Sequence, residues 1–242
     1  MHPEVILFGR AFASYGLMAG LGVLLAACLA LILGKAHGLT AYRVLLFLLA
    51  GCLCGFAGAF LLYLPVSYTP SELIAQIKSG SFEPGFVFYG GLIAGLLGVL
   101  LLGRKSGWKL EEYEKALVPA LPLGHASGRV GCFLAGCCYG RFSDSFFAVR
   151  FPALPRAALP VQLFEAAYLV GMCAVLTLMS LKNKKHLLGA YILMYAPVRF
   201  GLEFLRGDEI RGALGPLSTS QWISLLLLLC WALYLVKNAR KA

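Results

Sequence analysis

Arg129 lies inside the run Gly128-Arg129-Val130-Gly131-Cys132-Phe133-Leu134-Ala135-Gly136-Cys137-Cys138-Tyr139-Gly140-Arg141, which is otherwise almost free of charge. A charged side chain in an apolar bilayer costs roughly 2.5–3.5 kcal/mol on insertion scales, so a partner must repay it. A guanidinium stays charged when buried and holds a phosphate or carboxylate through two parallel hydrogen bonds, which points to an anion site. A second constellation, Tyr195, Arg199, Glu203 and Arg206, is spaced four, four and three, so a helix would carry all of them on one face. Arg199 and Glu203 alone would neutralise each other as a structural ion pair. Arg129, Arg199 and Arg206 nevertheless outnumber Glu165 and Glu203 by three to two. If these five share a cavity, one positive charge remains, which suits the single negative charge of a lipid phosphodiester.

Cys132, Cys137 and Cys138 lack the Cys-x-x-Cys spacing of a zinc site or thiol oxidoreductase, so no metal is expected. A disulfide joining Cys132 to Cys137 and plain apolar packing both stay open for them. His125 precedes Arg129 by four residues, on the same face of a helix. Its alternatives are a helix–helix hydrogen bond and a proton acceptor. Gly90-Gly91-Leu92-Ile93-Ala94-Gly95 is not followed by Gly-Lys-Ser/Thr, so nucleotide binding is not expected, and neither is any cofactor.

The elements that must position these residues are membrane helices. The chain has 242 residues, 60% hydrophobic and only 13% charged, a composition foreign to soluble domains. Apolar runs near the roughly 20 residues that span a bilayer recur at 11–33, 44–64, 85–102, 116–139, 160–181, 187–205 and 217–236. The expectation is an all-α integral membrane protein of seven transmembrane helices, a single polytopic domain over 1–242 with outer segments at 65–84 and 141–159. Pro119, Pro122, His125 and Arg129 interrupt the fourth run, which places it inside the bundle. Twelve basic residues fall in alternate loops and the tail, nine of them lysine, and mark the cytoplasmic side. The N-terminus is then outside and the C-terminus cytoplasmic. Of the other nine basic residues eight are arginine, so the net charge of +10 combines topology with anion recognition, and no nucleic-acid partner is expected. Thr69-Pro70-Ser71-Glu72 reads as a capping box that starts a short outer helix, with Gly80 ending it.

These motifs together resemble the bacterial prolipoprotein diacylglyceryl transferases over nearly the whole chain. Ser14-Tyr15-Gly16-Leu17-Met18 looks like the family's Tyr-Gly-Leu-Met, and Phe88-Tyr89-Gly90-Gly91-Leu92-Ile93 like its His-Gly-Gly-Leu-Ile. Gly128-Arg129-Val130-Gly131 through Gly140-Arg141 is similar to the central Gly-Arg-x-Gly-Asn motif. Leu159-Pro160-Val161-Gln162-Leu163-Phe164-Glu165 resembles His-Pro-Ser-Gln-Leu-Tyr-Glu, Arg199 to Arg206 repeats Arg-x-x-x-Glu-x-x-Arg, and Ser220-Gln221 opens the last span.

The resemblance implies an inner-membrane, multi-pass bacterial enzyme with two partners in the lipid phase, phosphatidylglycerol and the signal peptides of prolipoproteins. The diacylglyceryl group goes to the lipobox cysteine as a thioether, and glycerol phosphate leaves. It implies catalytic roles for Arg129 and Arg199 at the phosphate; because Tyr89 departs from the family's histidine, the expectation for this chain is that Tyr89 donates a hydrogen bond and His125, one turn from Arg129, is the catalytic group that takes the proton. Phosphatidylglycerol binding falls to Arg129, Arg199, Arg206, Glu203, Tyr15 and Gly140, with Gln162 and Glu165 supporting them. Tyr89 replaces the family's histidine, Cys132 its asparagine and Cys137 its glutamate. Those replacements motivate the alternative of a phospholipid-binding membrane protein or a relative using another acceptor. A transporter would show repeated halves or a polar path through several spans, and neither is seen.

Overall fold

A computed structural model describes residues 3–7, 9–80, 87–207 and 213–239. It divides into two compact units, one of residues 1–33 with 114–242 and the other of residues 34–113. The elements in chain order are β1 (Glu4–Leu7), β2 (Arg10–Ala13), α1 (Ser14–Ala36), α2 (Ala41–Ser67), α3 (Pro70–Ser79), α4 (Phe88–Ser106), α5 (Leu110–Leu117), α6 (Ala120–Ala135), α7 (Val161–Leu181), α8 (Leu187–Glu203), β3 (Ala213–Leu214), β4 (Leu217–Ser218) and α9 (Thr219–Ala239).

Each of the seven apolar runs contains a helix. Four helices, at Ser14–Ala36, Ala41–Ser67, Val161–Leu181 and Thr219–Lys237, are long and apolar enough to cross a membrane. Many of their leucines and isoleucines are exposed, as at Leu24, Ile32, Leu61 and Leu233, so this is a membrane protein whose exposed helix faces suit lipid. The first run begins later than expected, because residues 11–13 belong to a hairpin in which Arg10 pairs with Leu7 and Glu4 with Ala13. Gly9, at φ +74, makes that turn in the left-handed region.

The fourth run is not one long helix. Pro119 stands at the N-cap of α6, and Pro122 falls in its first turn, where a missing N–H costs no intrahelical bond. Gly136, φ +75, closes α6 after 16 residues in a left-handed cap. The core of this unit joins Val118 and Ala126 to Leu169, Met172 and Leu176 of α7 and to Leu187 of α8. Gly22 lets α1 approach α6, since a Cβ there would lie 2.8 Å from both the Gly124 carbonyl oxygen and Ser127 Cβ.

In the other unit α2 packs along α4 through small residues. A Cβ on Gly58 would overlap Ala94 at 2.2 Å, and one on Gly90 would meet the Gly58 carbonyl oxygen at 2.2 Å. The glycine pairs Gly51/Gly55 and Gly91/Gly95 line this seam, whereas a Cβ on Gly16 or Gly20 meets nothing within 4 Å. Around α3 the expected capping box is complete: Glu72 N–H donates to the Thr69 hydroxyl and Thr69 N–H to the Glu72 carboxylate, with Pro70 at the first position and Gly80 left-handed at the end.

Gly90→Ala should therefore lower the midpoint of thermal unfolding in detergent by several degrees, reflecting about 1–3 kcal/mol of overpacking, while Gly16→Ala should be neutral or stabilising. Hydrogen bonds from the Thr69 hydroxyl and N–H hold the Glu72 carboxyl below the usual glutamate range. The cap's contribution is thus present above that range and lost as pH falls through the lowered value. A carboxyl-carbon NMR titration of Glu72 checks the shift, and Thr69→Ala should raise the midpoint.

Candidate functional site

The charged residues meet where α6, α7 and α8 face one another. Arg129 on α6 directs Nε to Glu165 Oε2 of α7 at 3.1 Å, and Glu165 is 1% exposed. The other carboxylate oxygen, Oε1, accepts a 2.7 Å hydrogen bond from the Tyr195 hydroxyl of α8. His125 Nε2 lies 3.7 Å from the same oxygen. The His125 ring meets Tyr195 edge to face at 5.3 Å. One carboxylate therefore joins three helices. Four-residue spacing puts His125 and Arg129 on one face of α6, and the same spacing stacks Tyr191, Tyr195 and Arg199 along α8.

Arg199, buried on α8, places Nη1 2.7 Å from Glu203 Oε2. Its Nη2 donates to Ser220 Oγ at 2.9 Å. Ser220 is fixed by the start of α9, where Gln221 Oε1 accepts from Ser218 N–H at 2.9 Å and Ser218 Oγ accepts from Gln221 N–H at 3.3 Å. This is a Ser-x-x-Gln capping box. Glu165 lies in the field of Arg129, His125 and Arg199 together, so the two arginines act on a common region. Arg129 Nε, Arg199 Nη1 and Glu203 Oε2 are buried without an aligned hydrogen bond. Charge is thus balanced by contacts that are close but not aligned as hydrogen bonds.

Tyr15, at the start of α1, is half exposed. Gly131 seats it against α6, since a Cβ there would come within 3.3 Å of Tyr15 Cα. The Tyr15 phenol is in electrostatic range of Arg129 and of Cys132, Cys137 and Cys138. Those three Sγ atoms lie within 4.8 Å of one another. The chain turns back at Gly136, the Cys137 N–H donates to the Cys132 carbonyl at 3.1 Å, and Cys138 adopts φ +62. Gln162, 1% exposed, fastens the turn by donating from Nε2 to the Cys137 carbonyl at 2.6 Å.

Gly140 is wedged among Leu159, Val161 and Leu205, with a hypothetical Cβ 2.8 Å from the Leu205 carbonyl oxygen. It forms an antiparallel bridge with Arg206. Arg206 consequently does not continue the face of Arg199 and Glu203. The helix ends at Glu203, and Arg206 is held by backbone contact with the segment after the cysteines. The loop after Arg141 is anchored by buried Phe151, packed on Phe133 and Tyr139, while Phe146 is 97% exposed. Arg156 pairs with Asp144 at 3.3 Å on the exposed surface. Tyr89 opens α4 in the other unit, and its side chain lies outside the described residues.

The structure thus brings together His125, Arg129, Glu165, Tyr195, Arg199, Glu203 and Ser220, with Tyr15, Gln162 and the cysteines beside them. Sequence reasoning gave Ser220 no role in holding Arg199 and did not join Tyr195 to Glu165. The Ser218-x-x-Gln221 box was legible as a helix start. The pairings across helices have no local signature.

A buried arginine–carboxylate pair tied across two helices, with a second pair within α8, inside a lipid-compatible surface, defines a membrane protein with a charged interior. A model of the prolipoprotein diacylglyceryl transferase family matches residues 3–237. The phosphatidylglycerol–prolipoprotein diacylglyceryl transferase 2 of Clostridium perfringens is 35% identical over 230 residues, covering 92% of this chain and 90% of that protein. The phosphatidylglycerol–prolipoprotein diacylglyceryl transferase of Clostridium tetani is 33% identical, covering 90% of each. That of Bordetella avium is 34% identical over 211 residues, covering 83% of this chain and 76% of that protein. The chain belongs to the prolipoprotein diacylglyceryl transferase family.

Removing Glu165 leaves the Arg129 charge buried and alone. Glu165→Ala should cost about 3–5 kcal/mol in a denaturant titration, whereas the paired change Arg129→Met with Glu165→Leu should recover most of that loss.

Proposed function

We propose that this protein transfers the diacylglyceryl group of phosphatidylglycerol to the lipobox cysteine of prolipoproteins, forming a thioether and releasing glycerol phosphate. The observation that carries the reading is the buried pair Arg129 and Arg199, each charge-balanced by a carboxylate yet retaining unaligned donors.

In this reading Arg129 and Arg199 hold the phosphate of phosphatidylglycerol. Glu203 and Ser220 orient Arg199, and the Glu165–Tyr195 hydrogen bond orients Arg129. Tyr15, half exposed beside Arg129, contacts the glycerol backbone or headgroup, and Arg206 with Gly140 closes the site. The acceptor sulfur attacks the glycerol carbon, the carbon–oxygen bond breaks, and its electron pair stays on the phosphate oxygen. The diester becomes a monoester, and negative charge grows at the phosphate. Donors already fixed there gain more in the transition state than in the ground state, which is the condition for lowering the barrier. His125, held at Glu165, receives the thiol's proton. The distribution of lysines supports an N-terminus outside and seven spans with the site open to the outer face of a bacterial inner membrane.

Reconstituted with phosphatidylglycerol and a lipobox peptide, the wild type should add a diacylglyceryl mass to the peptide cysteine. Arg129→Lys, which keeps the charge but loses the fork, should cut turnover on the order of 10²-fold. An absent adduct with wild type sinks the reading; an undiminished Arg129→Lys variant removes the phosphate assignment.

A further inference from the structure

We propose that Cys132, Cys137 and Cys138 bind zinc(II) through three thiolates and leave its fourth position for the sulfur of the acceptor cysteine. The inference rests on the transferase reading and deepens it: the metal acidifies the acceptor thiol, whose proton His125 receives, where Tyr89 stands in the family's histidine position.

The geometry argues for a ligand set. Zinc at about 2.3 Å from each sulfur places tetrahedral sulfurs about 3.8 Å apart, which small rotations reach from a cluster whose Sγ atoms all lie within 4.8 Å. The cluster has three cysteines and no fourth His, Cys, Asp or Glu among the described residues. Three protein ligands with one vacancy is the pattern of catalytic zinc, whereas structural sites are closed by four. The backbone is bent to achieve it. Cys138 holds φ +62, a region costly for a residue with a Cβ, and such outliers concentrate at functional sites. Gln162 fixes the Cys137 carbonyl and keeps Oε1 buried without a hydrogen-bond partner, an acceptor available to a group entering the site.

Position agrees with chemistry. Cys132 is buried one turn beyond Arg129 on α6, and Cys137 is exposed, so the cluster runs from the phosphate-binding arginine to the surface. Zinc with three thiolates carries one net negative charge, and it lies in the field of Arg129. Coordination deprotonates a thiol outright, so the proton leaves through water before the chemical step and its acceptor need not touch the sulfur. The zinc-bound thiolate then donates an electron pair to the glycerol carbon, and the carbon–oxygen bond breaks with its pair going to the phosphate oxygen. The neutral thioether, a weaker ligand, leaves the metal. Zinc changes neither oxidation state nor net count.

The test uses the full chain in detergent. Protein stripped with a chelator and titrated with zinc should take up one equivalent, and Cys132→Ser or Cys137→Ser should abolish uptake while Cys28→Ser, on the exposed face of α1, should not. Cobalt(II) in place of zinc should give the intense visible bands of a tetrahedral thiolate site, and these should shift with a lipobox peptide but not with its Cys→Ser analogue. Stripping should lower thioether formation at least tenfold, and zinc should restore it. No uptake, a disulfide among these cysteines by mass spectrometry, an unshifted cobalt spectrum, or full turnover of stripped protein each overturns the proposal. The last of these leaves the transferase reading standing. A shifted cobalt spectrum with no thioether formed would instead keep the site and remove the transferase reading.

Discussion

The Glu165 carboxylate is the constraint around which the site is organised. It is buried on α7, opposite a guanidinium from α6 and a phenol from α8, with an imidazole at 3.7 Å. Each group would be costly alone in this setting, and together they are tolerable only in one mutual placement. Small residues let the helices close to that placement. Gly22 admits α1 to α6, and Gly131 brings Tyr15 beside the same face. The polar cluster thus specifies the register of a bundle whose apolar surfaces, facing lipid, are nearly indifferent to rotation.

What the sequence made legible was whatever obeys a local rule. The capping box at Thr69, the glycine stop at Gly80 and the helical character of all seven apolar runs follow from neighbours three or four residues apart. Arg129 and Arg199 stood out because charge in an apolar run violates an equally local expectation. The limits were physical too. Residues 11–13 are apolar enough to join a helix, but pairing with Glu4–Leu7 captures them for a hairpin. Arg206 has the spacing to extend the Arg199 face, yet the chain leaves the helix at Glu203 because Gly140 offers a backbone partner from a distant segment. The convergence of Cys137 and Cys138 on Cys132 depends on two left-handed residues, one of them not glycine, and no spacing rule anticipates that.

Arg199 shows how different supports divide one task. Glu203 balances its charge, whereas Ser220 contributes only a hydroxyl and leaves that balance untouched. Because Ser220 belongs to the opening turn of α9, the orientation of the guanidinium depends on where that helix begins. The reciprocal bonds of Ser218 and Gln221 set that starting point. A capping motif, ordinarily a matter of helix stability, thereby decides how a buried charge is aimed.

The resident carboxylates also bear on how a catalytic cycle would end. A phosphate monoester carries more negative charge than the diester it came from, so arginines free of other partners would hold the departing product more tightly than the incoming lipid. Glu165 and Glu203, fixed at 3.1 Å and 2.7 Å from those arginines, are internal competitors that never diffuse away. In the proposed cycle they would weaken the grip on either anion, and on the more highly charged one most. An enzyme built this way gives up some affinity for its lipid and gains the ability to empty itself.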